Sequence, residues 1–282
     1  MSDKLSGFAE KGFLVLENFF HSDDLSELEA CVVDLYAQQA VKIAEYQAQV
    51  RKVQDSDESD FLKFQSIYEL MEKDDKEALY QVQKFFGSSP VARSIFNETF
   101  LQVTQELLSA SRNTLLVDGP ALFINRPRTD RLRYKWHSEA HYYPKRRRFV
   151  NVWFPLFSSK NRDNGTMSFK VGSHVRDFPF SDYQGFNKDS EGKANHFIQY
   201  EIPDNFLSSY PEHWCENDRG DLVLFHRSLV HTSNENCSDE YSVAVVARVW
   251  DPTDDLTLSG SLAALPYGGN LGRPGLRVDP LF

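Results

Sequence analysis

The sequence predicts an α+β fold, with a mostly helical N-terminal part (residues 1–112) packed on a jelly roll of short strands. Three observations carry that expectation. Apolar residues recur at helical spacing through the first hundred residues. From about Asn113 onward, short β-rich runs alternate with turn clusters. Inside that strand region lie side chains of metal-ligand type, where the mouth of a barrel offers a site.

Phe8-Ala9-Glu10-Lys11-Gly12-Phe13-Leu14-Val15-Leu16 reads as a helix end, a glycine stop and a strand. Ser22-Asp23-Asp24 offers a helix N-cap, with Glu27 as capping-box partner of Asp24. Leu25, Leu28, Val32 and Leu35 then make one apolar face, and the helix is expected to run to about Val53. The acidic run Asp55–Asp60 breaks it and reads as a solvated loop. From Phe61 to Leu108 the pattern is helical again, with Leu79, Val82 and Phe86 on one face, Val103 and Leu107 on another, and a boundary at Ser88-Ser89-Pro90.

Strands are expected at Leu115–Val117, Ala121–Ile124, Val150–Phe154, Thr166–Phe169, Leu222–Phe225 and Val243–Trp250, separated by turns such as Asn161-Arg162-Asp163-Asn164-Gly165. The whole chain reads as one domain over 1–282. It comprises a helical flank at 1–112, a jelly-roll core at 113–255 with an insertion at about 176–219, and an irregular Gly- and Pro-rich segment at 256–282. The insertion is rich in aromatics, interrupted by glycines and charges, and long enough to act as a lid over a site.

The composition excludes several function classes. A formal net charge of -10 argues against nucleic acid or an anionic membrane as partner. Cys31, Cys215 and Cys237 form no Cys-x-x-Cys pair, and an odd count suggests no disulfide framework. The start of the chain has no basic-then-apolar signal pattern, and no apolar run approaches the ~18–20 residues that span a bilayer. The expectation is a soluble, cytoplasmic protein.

The chemistry is concentrated in Tyr134-Lys135-Trp136-His137-Ser138-Glu139. In an extended strand, residues i and i+2 share a face, so His137 and Glu139 can aim an imidazole and a carboxylate at one point. His231, at the end of Gly220–His231, offers the third ligand. Two histidines and a carboxylate on one face of a metal leave the opposite face open, as in non-haem Fe(II) oxygenases. His141, four residues after His137, would suit a helical metal site, but Tyr142-Tyr143-Pro144 argues for a non-helical segment and a pocket role. His226 is a weaker alternative ligand, and His174, after Gly172-Ser173, is expected to stabilise a turn.

These residues give the chain a family resemblance. It resembles the phytanoyl-CoA dioxygenase family of Fe(II)/2-oxoglutarate-dependent oxygenases over most of its length. The likeness begins at Gly12–Leu16 and includes Ile124-Asn125-Arg126-Pro127. It is strongest in Trp136–Pro144 and in Asn164-Gly165-Thr166-Met167 through Gly172-Ser173-His174, and it closes with Gly220-Asp221, Phe225-His226 and His231-Thr232-Ser233. The resemblance implies a double-stranded β-helix (a cupin-like jelly roll) with flanking helices. It implies His137, Glu139 and His231 as catalytic iron ligands, with Trp153 and Ser233 beside the 2-oxoglutarate. Fe(II), 2-oxoglutarate and O2 are the implied cofactor and cosubstrates, and hydroxylation of an unactivated C–H bond in a small molecule is the implied reaction.

The sequence departs from the family pattern twice. The usual aspartate is Glu139, one methylene longer. The arginine expected eleven residues after the distal histidine, which would grip the far carboxylate of 2-oxoglutarate, is Ser242. Arg248 lies on the same strand face but roughly 20 Å further along at ~3.3 Å per residue. Arg126, on a neighbouring strand, is the other candidate cation. Lys145-Arg146-Arg147-Arg148 would recruit an anionic substrate if it is more than a solvated loop. Rival readings are an iron enzyme using another 2-oxo acid, a silent jelly-roll binding protein, and a zinc hydrolase, since zinc also accepts two histidines and a carboxylate.

Overall fold

Gly12 ends the first helix with φ +86°, a left-handed conformation in which a side chain is strained. The chain turns there from α1 (Ser2–Lys11) into β1 (Phe13–Leu16), as the sequence predicts. The computed structural model describes residues 2–74, 76–128, 134–144, 146–188 and 194–254. The expected irregular segment at 256–282 lies outside the described residues.

The helical flank contains α2 (Ser22–Ala40), α3 (Gln47–Gln54), α4 (Asp60–Asp74), α5 (Lys76–Phe86), α6 (Pro90–Ser94) and α7 (Glu98–Leu108). Leu25, Leu28, Val32 and Tyr36 form the buried face of α2. The single helix expected to reach Val53 is two helices. After Ala40 the backbone tightens, Lys42 and Ile43 donating to the carbonyls of Gln39 and Ala40 three residues back, and Ala44–Tyr46 forms a 3-10 turn. The expected capping box is not made either. His21 is the N-cap and makes no side-chain cap bond. The Ser22 hydroxyl instead accepts from Arg219, 3.3 Å away. Pro90 opens α6, and the Asn97 side chain caps α7 by accepting from the Phe100 amide at 3.1 Å.

The remaining elements are β2 (Leu116–Asn125), the one-turn helix α8 (Glu139–Tyr142), β3 (Arg148–Leu156), β4 (Met167–Lys170), β5 (Ser181–Lys188), β6 (Ala194–Glu201), β7 (Glu212–Trp214), β8 (Leu222–His226), β9 (His231–Ser233) and β10 (Ser242–Asp251). The two runs expected at 115–117 and 121–124 are a single strand. β2 passes through Gly119-Pro120, and its register with β10 shifts between Val246 and Arg248. Antiparallel pairing builds one sheet in the order β1-β8-β3-β10-β2 and a second in the order β7-β4-β9. β5 and β6 form a separate hairpin within the insertion, where the sequence reading expected a lid or binding loop.

Alternation along β10 divides the interior. Val243, Val245, Ala247 and Val249 face the helices and join the large core with Leu28, Tyr36, Phe64 and Phe100. Ala244 and Val246 face the other way, into a smaller cluster with Phe13, Trp153, Phe169, Val223 and Phe225. That cluster takes Phe169 from the smaller sheet and Trp153, Val223 and Ala244 from the larger, so it fills the space between the two sheets. Helices on one face and a second sheet on the other make the α+β jelly roll the sequence predicts. Among the described residues no helix is long and apolar enough to cross a membrane.

Candidate metal centre

β9 and the segment before α8 meet beside this inner cluster, where the His231 ring lies against Phe225. His137 and His231 sit opposite one another in an isolated antiparallel bridge. The His137 amide donates to the His231 carbonyl at 3.0 Å, and the His231 amide donates to the His137 carbonyl at 2.9 Å. Ser138 is extended (φ -125°, ψ 147°), and Glu139 then opens α8. The i, i+2 relation between His137 and Glu139 therefore runs through one extended residue into a helical turn, not along a full strand. The expectation of a non-helical segment at His141-Tyr142 is corrected here. Pro144 lies just beyond the turn and ends it, and the Tyr143 amide still closes it onto the Glu139 carbonyl at 3.1 Å.

The three side chains converge as the spacing predicts. Glu139 Oε1 lies 3.8 Å from His137 Nε2 and 3.9 Å from His231 Nε2. One ligand atom from each residue lies within 4.8 Å of the others, and both histidines are buried. The other ring nitrogens are fixed by the backbone. His137 Nδ1 is 2.6 Å from the Lys135 carbonyl, and His231 Nδ1 is 2.9 Å from the Leu229 carbonyl. A carbonyl only accepts, so each Nδ1 carries the proton and each Nε2 turns its lone pair to the centre. Glu139 Oε2 is also taken. It accepts from Arg248 Nε at 3.1 Å and Nη2 at 2.7 Å, leaving Oε1 free for an ion.

The electrostatics keep Glu139 and His231 in ligand form. Burial opposes ionisation of Glu139, but it is outweighed, first by the Arg248 guanidinium, and the carboxyl is held well below its usual range. Burial, reinforced by His137, pushes His231 down to about 3. A carboxylate and neutral imidazoles are what a divalent ion requires. The donor set, with two imidazoles and one carboxylate oxygen, fits Fe(II).

The other residues singled out in the sequence take different places. His141 faces the insertion, its ring 4.1 Å from that of Phe180, and burial together with His137 lowers it to about 4. His226 accepts from the Ser228 amide at 3.1 Å and lies against Phe8 and His174, while His174 reaches the Ala9 carbonyl at 3.1 Å. Trp153 is buried in the inner cluster opposite Val246, and Ser233 is buried on β9 opposite Met167. Arg126 is ion-paired with Glu72 of α4. Arg146 pairs with Asp118 at 2.6 Å and Arg148 with Asp251 at 3.2 Å, so two cations of the basic run are held by carboxylates of the fold. Sequence reasoning missed Lys160, a buried lysine whose Nζ meets Ser242 Oγ.

Sheet arrangement and triad together are those of the non-haem iron oxygenase class. A family model described as phytanoyl-CoA dioxygenase (PhyH) matches residues 8–242, and the chain belongs to that family. A probable phytanoyl-CoA dioxygenase of Caenorhabditis elegans is 23% identical over 69% of this chain, and the chain spans 62% of that relative's length. EctD from S. alaskensis, solved with 2-oxoglutarate and 5-hydroxyectoine, superimposes with a TM-score of 0.60 at 15% identity, covering 90% of this chain and 77% of its own. SnoN, a non-heme alpha ketoglutarate dependent epimerase from nogalamycin biosynthesis, gives 0.53 at 15% identity, covering 89% and 83%. At these identities the likeness to the solved structures is one of fold.

Proposed function

We propose that this protein is an Fe(II)/2-oxoglutarate-dependent oxygenase that hydroxylates an unactivated C–H bond of a small molecule. The observation that carries the reading is the prepared triad: two buried histidines with their Nε2 lone pairs turned inward, and a carboxylate with one oxygen held by Arg248 and one free. His137, Glu139 and His231 would hold the ion, and Trp153 and Ser233 would lie beside the cosubstrate. With Fe(II), 2-oxoglutarate and O2 bound, oxidative decarboxylation of the cosubstrate supplies the oxidising equivalent.

The chain's own residues orient the ligands and keep the site dry. Arg248 fixes the carboxylate so that Oε1 alone would be offered to a bound ion. Phe225 packs edge-on against the His231 ring at 4.9 Å, and Tyr142 does the same to His137 at 5.6 Å. Such apolar walls exclude water and limit side reactions. Phe180 and Tyr200 of the insertion stack near His141 and Tyr142, and the Tyr200 amide donates to the Tyr142 hydroxyl at 3.1 Å. On this reading the insertion forms a wall of the substrate pocket, and exchanging it should alter substrate choice while iron binding persists.

The test is an anaerobic titration of metal-free protein with Fe(II) and then 2-oxoglutarate, following the visible metal-to-ligand charge-transfer band. The wild type should show the band, and His137→Ala and His231→Ala should lose it. Failure of the wild type to bind iron would overturn the reading.

A further inference from the structure

One buried charged group has no role in the triad or its supports. Lys160 is 2% exposed, in the polar stretch that follows β3. Its backbone is pinned on both sides by Asn217, which accepts from the Lys160 amide at 2.8 Å and donates to its carbonyl at 3.0 Å. Its Nζ meets Ser242 Oγ, and among the described residues no carboxylate lies within ion-pairing distance. Burial alone, with no neighbouring anion, pushes this lysine down to about 7. An unpaired buried ammonium is costly and calls for an anion.

Position says which anion. Ser242 shares its β10 face with Ala244, Val246 and Arg248, the face that lines the space between the sheets. Arg248 holds the triad at one end of this row, and Ser242 with Lys160 closes the other. Trp153 and Val246 lie between them, paired across β3 and β10, and Ala244 is the neighbour of Ser242 on this face. Ser242, and with it the Lys160 ammonium, therefore belongs to the same inner face as the arginine that holds the triad.

We infer that Lys160 grips the distal carboxylate of 2-oxoglutarate, with the Ser242 hydroxyl beside it, so that the cation missing from β10 reaches the pocket from the segment after β3. This inference rests on the oxygenase reading. It makes Lys160 a cosubstrate-binding residue and a source of selectivity for 2-oxo diacids over 2-oxo monoacids.

The experiment is an anaerobic equilibrium titration of the Fe(II)-loaded protein with 2-oxoglutarate and, separately, with 2-oxovalerate, which lacks the far carboxylate. The wild type, Lys160→Met, Lys160→Arg and the double variant Lys160→Met with Ser242→Arg are compared, with iron stoichiometry as the check on folding. Lys160→Met should bind iron normally and weaken 2-oxoglutarate ~30-fold or more, the loss expected when a charged hydrogen bond is removed. Its affinity for 2-oxovalerate should hardly change. Lys160→Arg should keep the preference for the diacid, and the double variant should restore it by moving the cation to β10. Equal loss for both acids, or no loss for either, would overturn the assignment while leaving the oxygenase reading in place. Iron binding with no 2-oxo acid binding in the wild type would overturn both.

Discussion

Replacing Lys160 by methionine should make the metal-free protein more stable at neutral pH. The unfolded chain holds the lysine proton up to about 10.5, whereas burial in the fold releases it near 7. Between those values the unfolded state binds more protons, so this group makes stability rise with pH. Below pH 7 the penalty is present in full. At ~1.4 kcal/mol per tenfold, the interval from 10.5 to about 7 corresponds to an upper limit of about 5 kcal/mol. Methionine keeps most of the volume and removes the penalty, but forfeits the bond to Ser242, worth ~1 kcal/mol. A net gain of about 2–4 kcal/mol at pH 7 follows, in the range seen when buried charges give way to apolar groups. The gain should shrink steadily with rising pH, cross zero at pH ~10 and give way above it to the ~1 kcal/mol cost of the lost bond. Chemical denaturation of both metal-free proteins between pH 6 and 10 measures it. Equal stability at pH 7 with parallel pH profiles would refute the picture of an unpaired buried ammonium. A gain in stability coupled to weaker 2-oxoglutarate binding is the trade expected of a residue kept for function.

Other perturbations have equally definite outcomes. Arg248→Met frees Glu139 Oε2 to turn, and should weaken Fe(II) binding about 10- to 100-fold by calorimetry with the fold intact, because outer-shell partners of metal ligands act on that scale. Gly12→Ala puts a methyl 2.6 Å from His174 Nδ1 and forces a side chain to φ +86°; the cost should be about 2–3 kcal/mol, read as a fall in Tm. Glu29→Ala removes the acceptor of the Phe157 amide and of Arg219; denaturant unfolding should show a loss of about 2 kcal/mol, and Glu29→Gln should recover part of it. Tyr142→Phe removes the acceptor of the Tyr200 amide, and should speed proteolysis within the insertion while leaving iron stoichiometry unchanged.

What was legible in the sequence was what local chemistry decides. The glycine stop between α1 and β1, the apolar face of α2 and the proline opening α6 all act within a few residues of themselves. The convergence of His137 with Glu139 was legible for the same reason, since a single extended residue, Ser138, separates them. What escaped depends on partners far away. Ser22 looked like a cap residue, yet Arg219 claims its hydroxyl from across the fold. The α8 turn was hidden because Pro144 suggested irregular chain, whereas it only marks where one turn ends. Lys160 sits in Ser158-Ser159-Lys160-Asn161-Arg162, which reads as surface; only its meeting with Ser242, 82 residues away, shows that it is interior.

The bridge between His137 and His231 bears on how the protein acquires its metal. The two imidazoles are carried by backbones that already hydrogen-bond to each other, and each ring is already anchored by a carbonyl. The centre is thus assembled by the polypeptide, in contrast to a zinc finger, where the ion does the folding. An ion that arrives has little ordering to do, so nearly all of its coordination energy goes into affinity. A cavity so prepared also accepts any divalent ion of suitable size, and bare affinity rises from Fe(II) towards Cu(II). On the proposed reading, occupancy by iron would be decided outside the molecule, by which metal is most available as the protein folds. Preparation recovered from different growth media should differ in metal content before it differs in structure.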